Sequence, residues 1–544
     1  MTQQHSALDA SATAPEVSCA EPSAPVAGAT VPTGGDQSTR AQIDAAMARL
    51  LGVSAKFKDL TGQDRNVSTR EETIAMMHHY LRRLGLQDAV RQLSVVHVAG
   101  TKGKGSTCAM VERILREAGY KTGLFTSPHL ITPCERIRID GKPVSEPLFL
   151  RHFDAVWDAL ERTADQSGEY PPMAWFFRFL TLLALHVFVA ERVDVVILEV
   201  GIGGRLDATN VIERPVVCGV STLDLDHVRV LGDSLAQIAY AKAGIFKRGV
   251  PAFTTAQEAS AMAMLRQCAA DTQTPLLQAP PLDELGPDGA RCELGMQGDY
   301  QRVNAGLAAA LAATWLQHKR GGGGGAFTFD PATVLEPVVR LGLAKAFWPA
   351  RSHVVEHAKT QTRFYIDGAH TQRSLEVCAQ WFQQASTRGS SSSSTASALI
   401  FTIHHERNVA SLVAPLLALP FTRVYFCRTG ASRPSLAKVL SFSEALAAAD
   451  LAHIVERYNA QELAALDDVS DCGALQWPTT LARVWTALAT HHEAACATVS
   501  QATVRVLPSV AECVADLDAS VGHVLVTGSL YLAGETLAHL GWHE

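Results

Sequence analysis

The sequence predicts an α/β protein of two domains, each built on a mostly parallel sheet. Short apolar runs of strand length alternate with stretches of helix length along the chain, which is the pattern of consecutive βαβ units. With 544 residues, the chain is too long for a single hydrophobic core. Its composition, 47% hydrophobic and 19% charged, is that of a globular protein.

The first half of the chain begins with a helix, followed by a strand, a glycine-rich turn and a second helix. Apolar residues at helical spacing from Ile74 to Leu84 predict the first helix. A strand near 94–98 leads into the turn, and the helix that starts at about Ser106 is closed by Gly119. Further strands are predicted from the apolar runs 121–127, 193–201, 215–224 and 249–255.

The second half repeats this alternation around two low-complexity runs. Strands are predicted within 362–370, 398–403, 423–428 and 523–534. Gly321–Gly325 and Ser390–Ser394 are predicted to be flexible insertions in surface loops. We therefore expect a disordered tail at 1–40, an N-terminal domain at 41–340 and a smaller C-terminal domain at 341–544.

The bulk composition argues against several classes of protein. A net charge of -7 provides no basic surface for nucleic acid. The eleven cysteines include no C-x-x-C pair, which fits free thiols in a reducing compartment.

The apolar segment Met173–Ala190 contains Arg178 and His186, so it is predicted to be a buried core helix, with no part of the chain in a membrane. The N-terminal tail lacks a targeting pattern, and no heptad or repeat is visible, so a cytoplasmic monomer is expected.

The glycine-rich turn, "VAGTKGKGST", has the features of a phosphate-binding loop. Gly100, Gly103 and Gly105 allow a tight turn close to an anion, and the helix that follows directs its first N–H groups towards it. Lys104 can neutralise phosphate oxygens, and the Ser106 hydroxyl can reach a magnesium ion. The Walker pattern is not matched, because a glycine separates this lysine from the hydroxyl residue. A solvated basic turn is the alternative.

Other polar residues stand where predicted strands end. Glu199 closes an apolar run, where it could hold Mg²⁺; the alternative is a carboxylate paired with Arg205. Asp367, with His370 nearby, could bind a ribose or, alternatively, cap a helix. Taken alone, His227 is more typical of a structural histidine, and Lys242 is more typical of a solvated lysine. Arg351 could contact phosphate, but by itself it indicates no function.

Eight blocks of the sequence, which include the residues named above, together resemble one family. "HVAGTKGKGSTCAMVERILREAGYKTGLFTSPHL", "ERIRIDGKPVS", "LEVGIGGRLDATNVI", "DHVRVLGDSLAQIAYAKAGIFKRGVPAFT", "QRVNAGLAAALA", "WPARSHVV", "YIDGAHT" and "TGSLYLAG" are similar to the folylpolyglutamate synthase family of the Mur ligase superfamily. They follow the family's order from about residue 68 to 535. The family's loop, G-T-[NK]-G-K-G-[ST], includes the extra glycine, and lysine at position 102 resembles its eukaryotic form.

The resemblance implies an N-terminal P-loop domain with a mostly parallel sheet and a smaller C-terminal Rossmann-like domain. It implies that ATP and Mg²⁺ are used to add L-glutamate to the γ-carboxylate of a folate such as tetrahydrofolate or its polyglutamates. The residues implied to bind ATP are Gly103, Lys104, Gly105, Ser106, Asn304, Arg351, Asp367 and His370. Those implied to hold the metal are Ser127, Glu199 and His227, and Lys104, Glu199, His227 and Lys242 are implied to be catalytic. Lys242 falls where some relatives carry a carbamylated lysine.

Other activities remain open on the sequence. Dihydrofolate synthase, or a bifunctional enzyme, belongs to the same superfamily and would use the same loop. A P-loop kinase or NTPase would account for Gly100–Ser106 and Glu199 but not for the "DGAHT" block. A nucleotide-binding module without catalysis is the third class. The length of the glutamate chain, the preferred folate, a mitochondrial form and the role of Lys102 are not determined by the sequence.

Overall fold

The structure is a computed structural model that describes most of the chain. The described residues are 37–59, 72–164, 170–285, 292–321, 329–357, 360–388, 396–404, 408–430, 440–447, 451–492, 495–542 and 544. Residues 1–36 of the predicted tail, 322–325 of the glycine run and the whole serine run lie outside them. Residues 37–40 form the first turn of a helix, so regular structure begins within the segment predicted to be disordered.

Helices and strands alternate through most of the described residues. The helices are α1 (Gln37–Asp59), α2 (Thr73–Arg83), α3 (Gln87–Arg91), α4 (Lys104–Glu117), α5 (Glu146–Arg162), α6 (Phe176–Ala190), α7 (Val228–Leu231), α8 (Leu235–Lys242), α9 (Ala259–Thr272), α10 (Asp299–Arg320), α11 (Pro337–Ala344), α12 (Gln372–Arg388), α13 (Val409–Val413), α14 (Phe442–Ala447), α15 (Ala452–Val455), α16 (Ala460–Asp467), α17 (Gln476–His491), α18 (Ala497–Ser500), α19 (Val510–Ala515) and α20 (Leu530–His539). The strands are β1 (Val95–Ala99), β2 (Thr122–Phe125), β3 (Ile137–Ile139), β4 (Lys142–Pro143), β5 (Val195–Glu199), β6 (Val217–Val220), β7 (Ala252–Thr254), β8 (Leu276–Gln278), β9 (His353–His357), β10 (Thr362–Ile366), β11 (Ala396–Phe401), β12 (Phe421–Cys427), β13 (Thr503–Leu507) and β14 (Val521–Thr527).

The chain divides between His353 and Val354 into two compact units. The sequence predicts the boundary near residue 340. At that point α11 packs on α4 within the first unit, because Val339 and Leu343 are buried in the same core cluster as Ile114 and Leu115.

The first unit contains an eight-stranded sheet in the order β4-β3-β2-β5-β1-β6-β7-β8. The pairs from β2 to β8 are parallel, whereas β2–β3 and β3–β4 are antiparallel. Val98 of β1 is in register with Glu199 of β5, and Ala99 with Val220 of β6. The loops that follow these three central strands therefore leave the same edge of the sheet, where α/β proteins bind ligands.

Both faces of this sheet are covered. Every residue of β1 is buried, and alternate side chains face opposite sides, with Val96 and Val98 in the core of α4, α10 and α11, and Val95 in that of α5 and α6. The predicted core helix is confirmed as α6, of which Leu182 and Leu183 are completely buried. Among the described residues, no helix is long and apolar enough to cross a membrane.

The second unit contains a six-stranded sheet in the order β13-β12-β11-β14-β10-β9. The four pairs from β13 to β10 are parallel, and Ile366 of β10 is in register with Val526 of β14. One core cluster buries Trp485 of α17 together with Phe426 of β12. Two parallel-rich sheets with helices between their strands confirm the α/β class.

Candidate functional site

The glycine-rich turn leads directly from β1 into α4. Gly100 and Gly103 both have left-handed φ values, 147° and 85°. A Cβ atom at Gly100 would overlap the Ser221 side chain, and one at Gly103 would overlap Asn304. Only glycine fits at both positions, because the backbone conformation and the close neighbours each exclude a side chain. The first N–H groups of α4 have no partner within the helix, which suits an anion.

Helix α10 supports this loop through a polar network. The Gln301 Nε2 donates to the Ser106 Oγ at 3.3 Å, and the Asn304 Nδ2 donates to the Gln301 Oε1 at 2.9 Å. All three side chains are buried. The sequence singled out Ser106 and Asn304 but missed Gln301. The available signal was the i, i+3 spacing in "QRVN", which places both amides on one helix face.

Glu199 lies at the carboxyl end of β5, a central strand with a neighbouring strand on each side. Its Oε2 accepts the backbone N–H of Ser127 at 2.9 Å. The carboxylate is 4% exposed, and burial raises its pKa, while Lys104, the Ser127 N–H and Arg351 act in the opposite direction. The structure thus brings these four predicted residues together. Ser127 meets Glu199 through its backbone rather than its hydroxyl.

The alternative partner of Glu199, Arg205, points elsewhere. Its guanidinium lies over the Tyr240 ring, 4.1 Å from the centroid, and donates to the Tyr240 carbonyl. Beside Glu199 lies Gly105 instead: a Cβ atom built there would contact the Trp348 Nε1 at 3.4 Å and the Glu199 oxygens at 3.7 Å. Gly105 therefore lies directly against the buried carboxylate.

The loop after Glu199 is held by a buried carboxylate that the sequence did not single out. Asp207 accepts the N–H groups of Gly201 and Ile202, each at 3.2 Å, and that of Thr209 at 2.9 Å. The Thr209 hydroxyl also donates to Asp207, at 2.6 Å, and lies 2.8 Å from the His97 Nε2. The Thr209 hydroxyl has a single hydrogen, which it donates to the hydrogen bond with Asp207. It therefore accepts the second hydrogen bond, from the His97 Nε2–H. Burial raises the pKa of Asp207 and lowers that of His97 to about 3.

Lys242 is a buried lysine at the base of the phosphate loop. Its Nζ donates to the Gly100 carbonyl at 2.7 Å, and its side chain is 4% exposed. Burial, with the charge of Lys104, holds its pKa well below the ordinary value. The simple interpretation as a solvated lysine is therefore wrong, because α8 turns this side chain inwards.

Lys102 and His227 are connected through Asp226. The Lys102 Nζ is 3.2 Å from the Asp226 Oδ2. His227 is exposed, has a left-handed φ of 52° and donates its backbone N–H to the Asp226 Oδ1 at 3.0 Å. Within the part of the chain that the structure describes, no group of three or more His, Cys, Asp or Glu side chains is arranged to hold a metal. The metal role of Ser127, Glu199 and His227 stays a prediction.

Arg351 occupies an unusual turn at the end of the first unit. The residues on either side, Ala350 and Ser352, have left-handed φ values of 56° and 47° although neither is glycine. The Arg351 Nη1 donates to the Ala350 carbonyl at 3.1 Å. Such strain persists only where the surroundings impose it and is common at functional sites.

Asp367 and His370 belong to the second unit. Asp367 follows β10 and its Oδ1 accepts the Ala369 N–H at 2.9 Å, closing its own turn. The His370 Nδ1 lies 2.7 Å from the Gly368 carbonyl. Helix α12 begins after Thr371, whose N–H binds the Ser374 Oγ, so Asp367 is not the residue immediately before the helix. Nucleotide binding by Asp367 and His370 stays a prediction.

We expect Gly103→Ala to weaken binding of a non-hydrolysable ATP analogue with Mg²⁺ by more than about tenfold, because the new methyl displaces Asn304 from the loop. Gly119→Ala is the matched control, since Gly119 has nearly the same φ, 86°, but no neighbour within 4 Å. Both variants should lose about 1 kcal/mol of stability through backbone strain. Isothermal titration calorimetry measures the binding; equal affinities would show that Asn304 does not shape the loop.

His97 should make stability depend on pH. Its folded pKa of about 3 lies below the unfolded value of 6.5. Below pH 6.5 only the unfolded state gains a proton, so stability is lost as pH falls towards 3, on the order of 2–3 kcal/mol by pH 4.5. We expect His97→Leu to be less stable at pH 7 but to show a smaller loss between pH 7 and pH 4.5. Urea unfolding at both pH values tests this, with the exposed His318→Leu as the control; an unchanged pH dependence in His97→Leu would contradict it.

Comparison with known proteins identifies the family. A scan against protein-family models gives no match. The chain is 43% identical over 383 residues to the mitochondrial folylpolyglutamate synthase of Bos taurus, which covers 68% of this chain and 64% of that protein. It thus spans slightly less than two thirds of that relative. It is 38% identical over 503 residues to a folylpolyglutamate synthase of Arabidopsis thaliana, covering 86% of this chain and 84% of the relative.

The fold is shared with solved structures. The Mycobacterium tuberculosis folylpolyglutamate synthase complexed with ADP superposes with a TM-score of 0.63 at 23% identity, covering 92% of this chain and 99% of that one. At this identity the likeness concerns the fold alone. The match to the plant protein extends over most of both sequences. Because of this match, the chain belongs to the folylpolyglutamate synthase family.

Proposed function

We propose that this protein is an ATP-dependent ligase that adds L-glutamate to the γ-carboxylate of folates through an acyl-phosphate intermediate. The observation that carries the proposal is the juxtaposition of the phosphate loop with a buried carboxylate. Gly105, between Lys104 and Ser106, lies against Glu199 at the carboxyl edge of a parallel sheet. Membership of the folylpolyglutamate synthase family supports the choice of a ligase, and of folate and glutamate as substrates.

The reaction requires activation because a carboxylate is a poor electrophile. Transfer of the γ-phosphoryl group from ATP to an oxygen of the folate carboxylate gives an acyl phosphate and ADP. The glutamate amine then attacks the acyl carbon, phosphate leaves with the former carboxylate oxygen, and the nitrogen loses a proton. The first step brings two anions together, so fixed positive charge lowers its barrier. Lys104 and the N-terminus of α4 supply that charge on the loop, and Arg351 supports it from the turn at Ala350–Ser352.

The residues present fit a magnesium ion. Magnesium in nucleotide sites is bound through one or two carboxylates together with phosphates and water. Glu199 presents carboxylate oxygens beside the loop, and the raised pKa of this buried group shows that its neighbours do not fully offset the cost of burial. We propose that Glu199, Ser127 and His227 hold the ion, which when bound would neutralise phosphate charge.

Lys242 is proposed to act on the loop in one of two chemical forms. As an amine, it holds the Gly100 carbonyl, as the 2.7 Å hydrogen bond supports. Its lowered pKa favours the neutral amine, which is the form that reacts with CO₂ to give a carbamate. A carbamate resonance in the ¹³C NMR spectrum of protein kept in ¹³C-bicarbonate would identify the second form, and its absence would leave the first.

We further propose that the enzyme is a cytoplasmic monomer that does not bind nucleic acid. The net charge of -7 supports the last point. Light scattering of the purified protein tests the oligomeric state, and a dimer mass would refute it. Because the bovine relative is named as mitochondrial, cell fractionation of the tagged full chain tests the compartment.

The activity is tested by ADP release with Mg²⁺·ATP and, in turn, tetrahydrofolate alone, glutamate alone, both together, and dihydropteroate with glutamate. We expect release only when an acceptor and glutamate are both present, with formation of a γ-glutamyl product by mass spectrometry. Lys104→Met and Glu199→Gln should each lower the rate by at least about 10²-fold, because each removes a charge needed in the transition state. Lys345→Met, on the surface beyond α11, is the control.

Each arm of this assay separates one alternative. Release with one substrate alone would indicate a kinase or NTPase, and release in no arm a binding module. Activity with dihydropteroate would add dihydrofolate synthase function. Near-normal ligation by either Lys104→Met or Glu199→Gln would refute the assignment of these residues.

A further inference from the structure

The phosphate loop is bonded to a second loop, 221–227, that follows the neighbouring strand β6. The backbone N–H groups of Thr101 and Lys102 both donate to the Thr222 carbonyl, each at 3.0 Å. The Thr101 hydroxyl donates to the Asp224 carbonyl at 3.1 Å. These contacts hold the backbone of Thr101 and Lys102 beside the second loop.

Asp226 continues this connection with its side chain. Its Oδ2 lies 3.2 Å from the Lys102 Nζ, and its Oδ1 accepts the His227 N–H at 3.0 Å. The two side chains of the ion pair are 24% and 11% exposed, so water screens the pair only in part. One carboxylate thus joins the phosphate loop to the backbone of His227.

His227 needs such an anchor. Its φ of 52° is unfavourable for a residue with a side chain, and its own carbonyl begins the single turn of α7 by accepting the Val230 N–H at 2.8 Å. The side chain is exposed and α7 has no buried residue. The turn has no buried residue in α7 to hold it by apolar packing, so the hydrogen bond from the His227 N–H to Asp226 is one of the contacts that fix it.

We propose that Lys102 and Asp226 are positioning residues whose ion pair holds the His227 turn against the phosphate loop. Lys102 accordingly acts on nucleotide and metal binding through Asp226 and does not contact phosphate. This inference rests on the proposed function only in taking the loop as the Mg²⁺·ATP site.

The experiment compares five variants with the wild-type protein. Lys102→Met and Asp226→Asn each remove one charge of the pair, and the asparagine keeps an oxygen for the His227 N–H. The double variant completes a mutant cycle, and Lys102→Arg preserves the cation. Lys345→Met is the matched control, because Lys345 and Glu117 form an ion pair of the same 3.2 Å length elsewhere in the first unit. Each protein is assayed for calorimetric binding of the ATP analogue over a range of Mg²⁺ concentrations, for ligation kinetics and for melting temperature.

We expect each single charge removal to raise the Mg²⁺ concentration needed for half-maximal binding of the analogue by about threefold to tenfold. The kcat at saturating Mg²⁺ should change less than about threefold, and the melting temperature should be close to that of the control. The double variant should be no worse than either single one, because both remove the same interaction. Lys102→Arg should retain wild-type binding.

Other results would overturn the inference. Additive effects in the double variant would show that the two side chains act separately. Loss of kcat in Lys102→Met as large as in Lys104→Met would make Lys102 a phosphate ligand, and unchanged binding would make the pair inert. Binding is measured without turnover, so failure of the wild-type protein to ligate glutamate would refute the proposed function and still allow the ion pair to be judged.

Discussion

Burial of the Glu199 carboxylate is the constraint on which the candidate site depends. A charged group away from water is costly unless it is hydrogen-bonded or close to opposite charge. Here the compensation comes from three other segments: the Ser127 N–H after β2, Lys104 at the start of α4, and Arg351. Because these segments must converge on the end of β5, the position of one carboxylate determines much of the geometry around the phosphate loop.

The loop itself is shaped by neighbours as much as by its glycines. Three lysines lie in the loop or beside it. The Lys242 side chain donates a hydrogen bond to the Gly100 carbonyl, and the Lys102 side chain forms an ion pair with Asp226. Lys104, at the first position of α4, acts on the charges around it, lowering the pKa of Glu199 and that of Lys242. The three lysines thus have different surroundings, set by what lies within reach of each side-chain nitrogen.

Much of the fold could be predicted because the patterns that determine it are local. The runs at 94–98 and 193–201 are buried central strands, β1 and β5, since a strand covered on both faces is apolar throughout. Of the strands that the sequence does not predict, β3 has three residues and β4 has two, and segments this short carry no distinctive pattern. Helix α4 begins at Lys104, before the expected start near Ser106, because Gly103 in its left-handed conformation already ends the turn.

The sequence by itself determined the α/β class, the phosphate loop and the carboxylate at a strand end, since each is a pattern of adjacent residues. The resemblance of the ordered blocks pointed to the family. Only the tertiary structure decided which side chains meet: Gln301 reaches Ser106 and Asp226 reaches Lys102 across 195 and 124 residues. Thr209 likewise contacts His97 across 112 residues and so connects it to Asp207. Such contacts depend on strand order and helix packing, and no local spacing encodes the partner of a side chain that far along the chain.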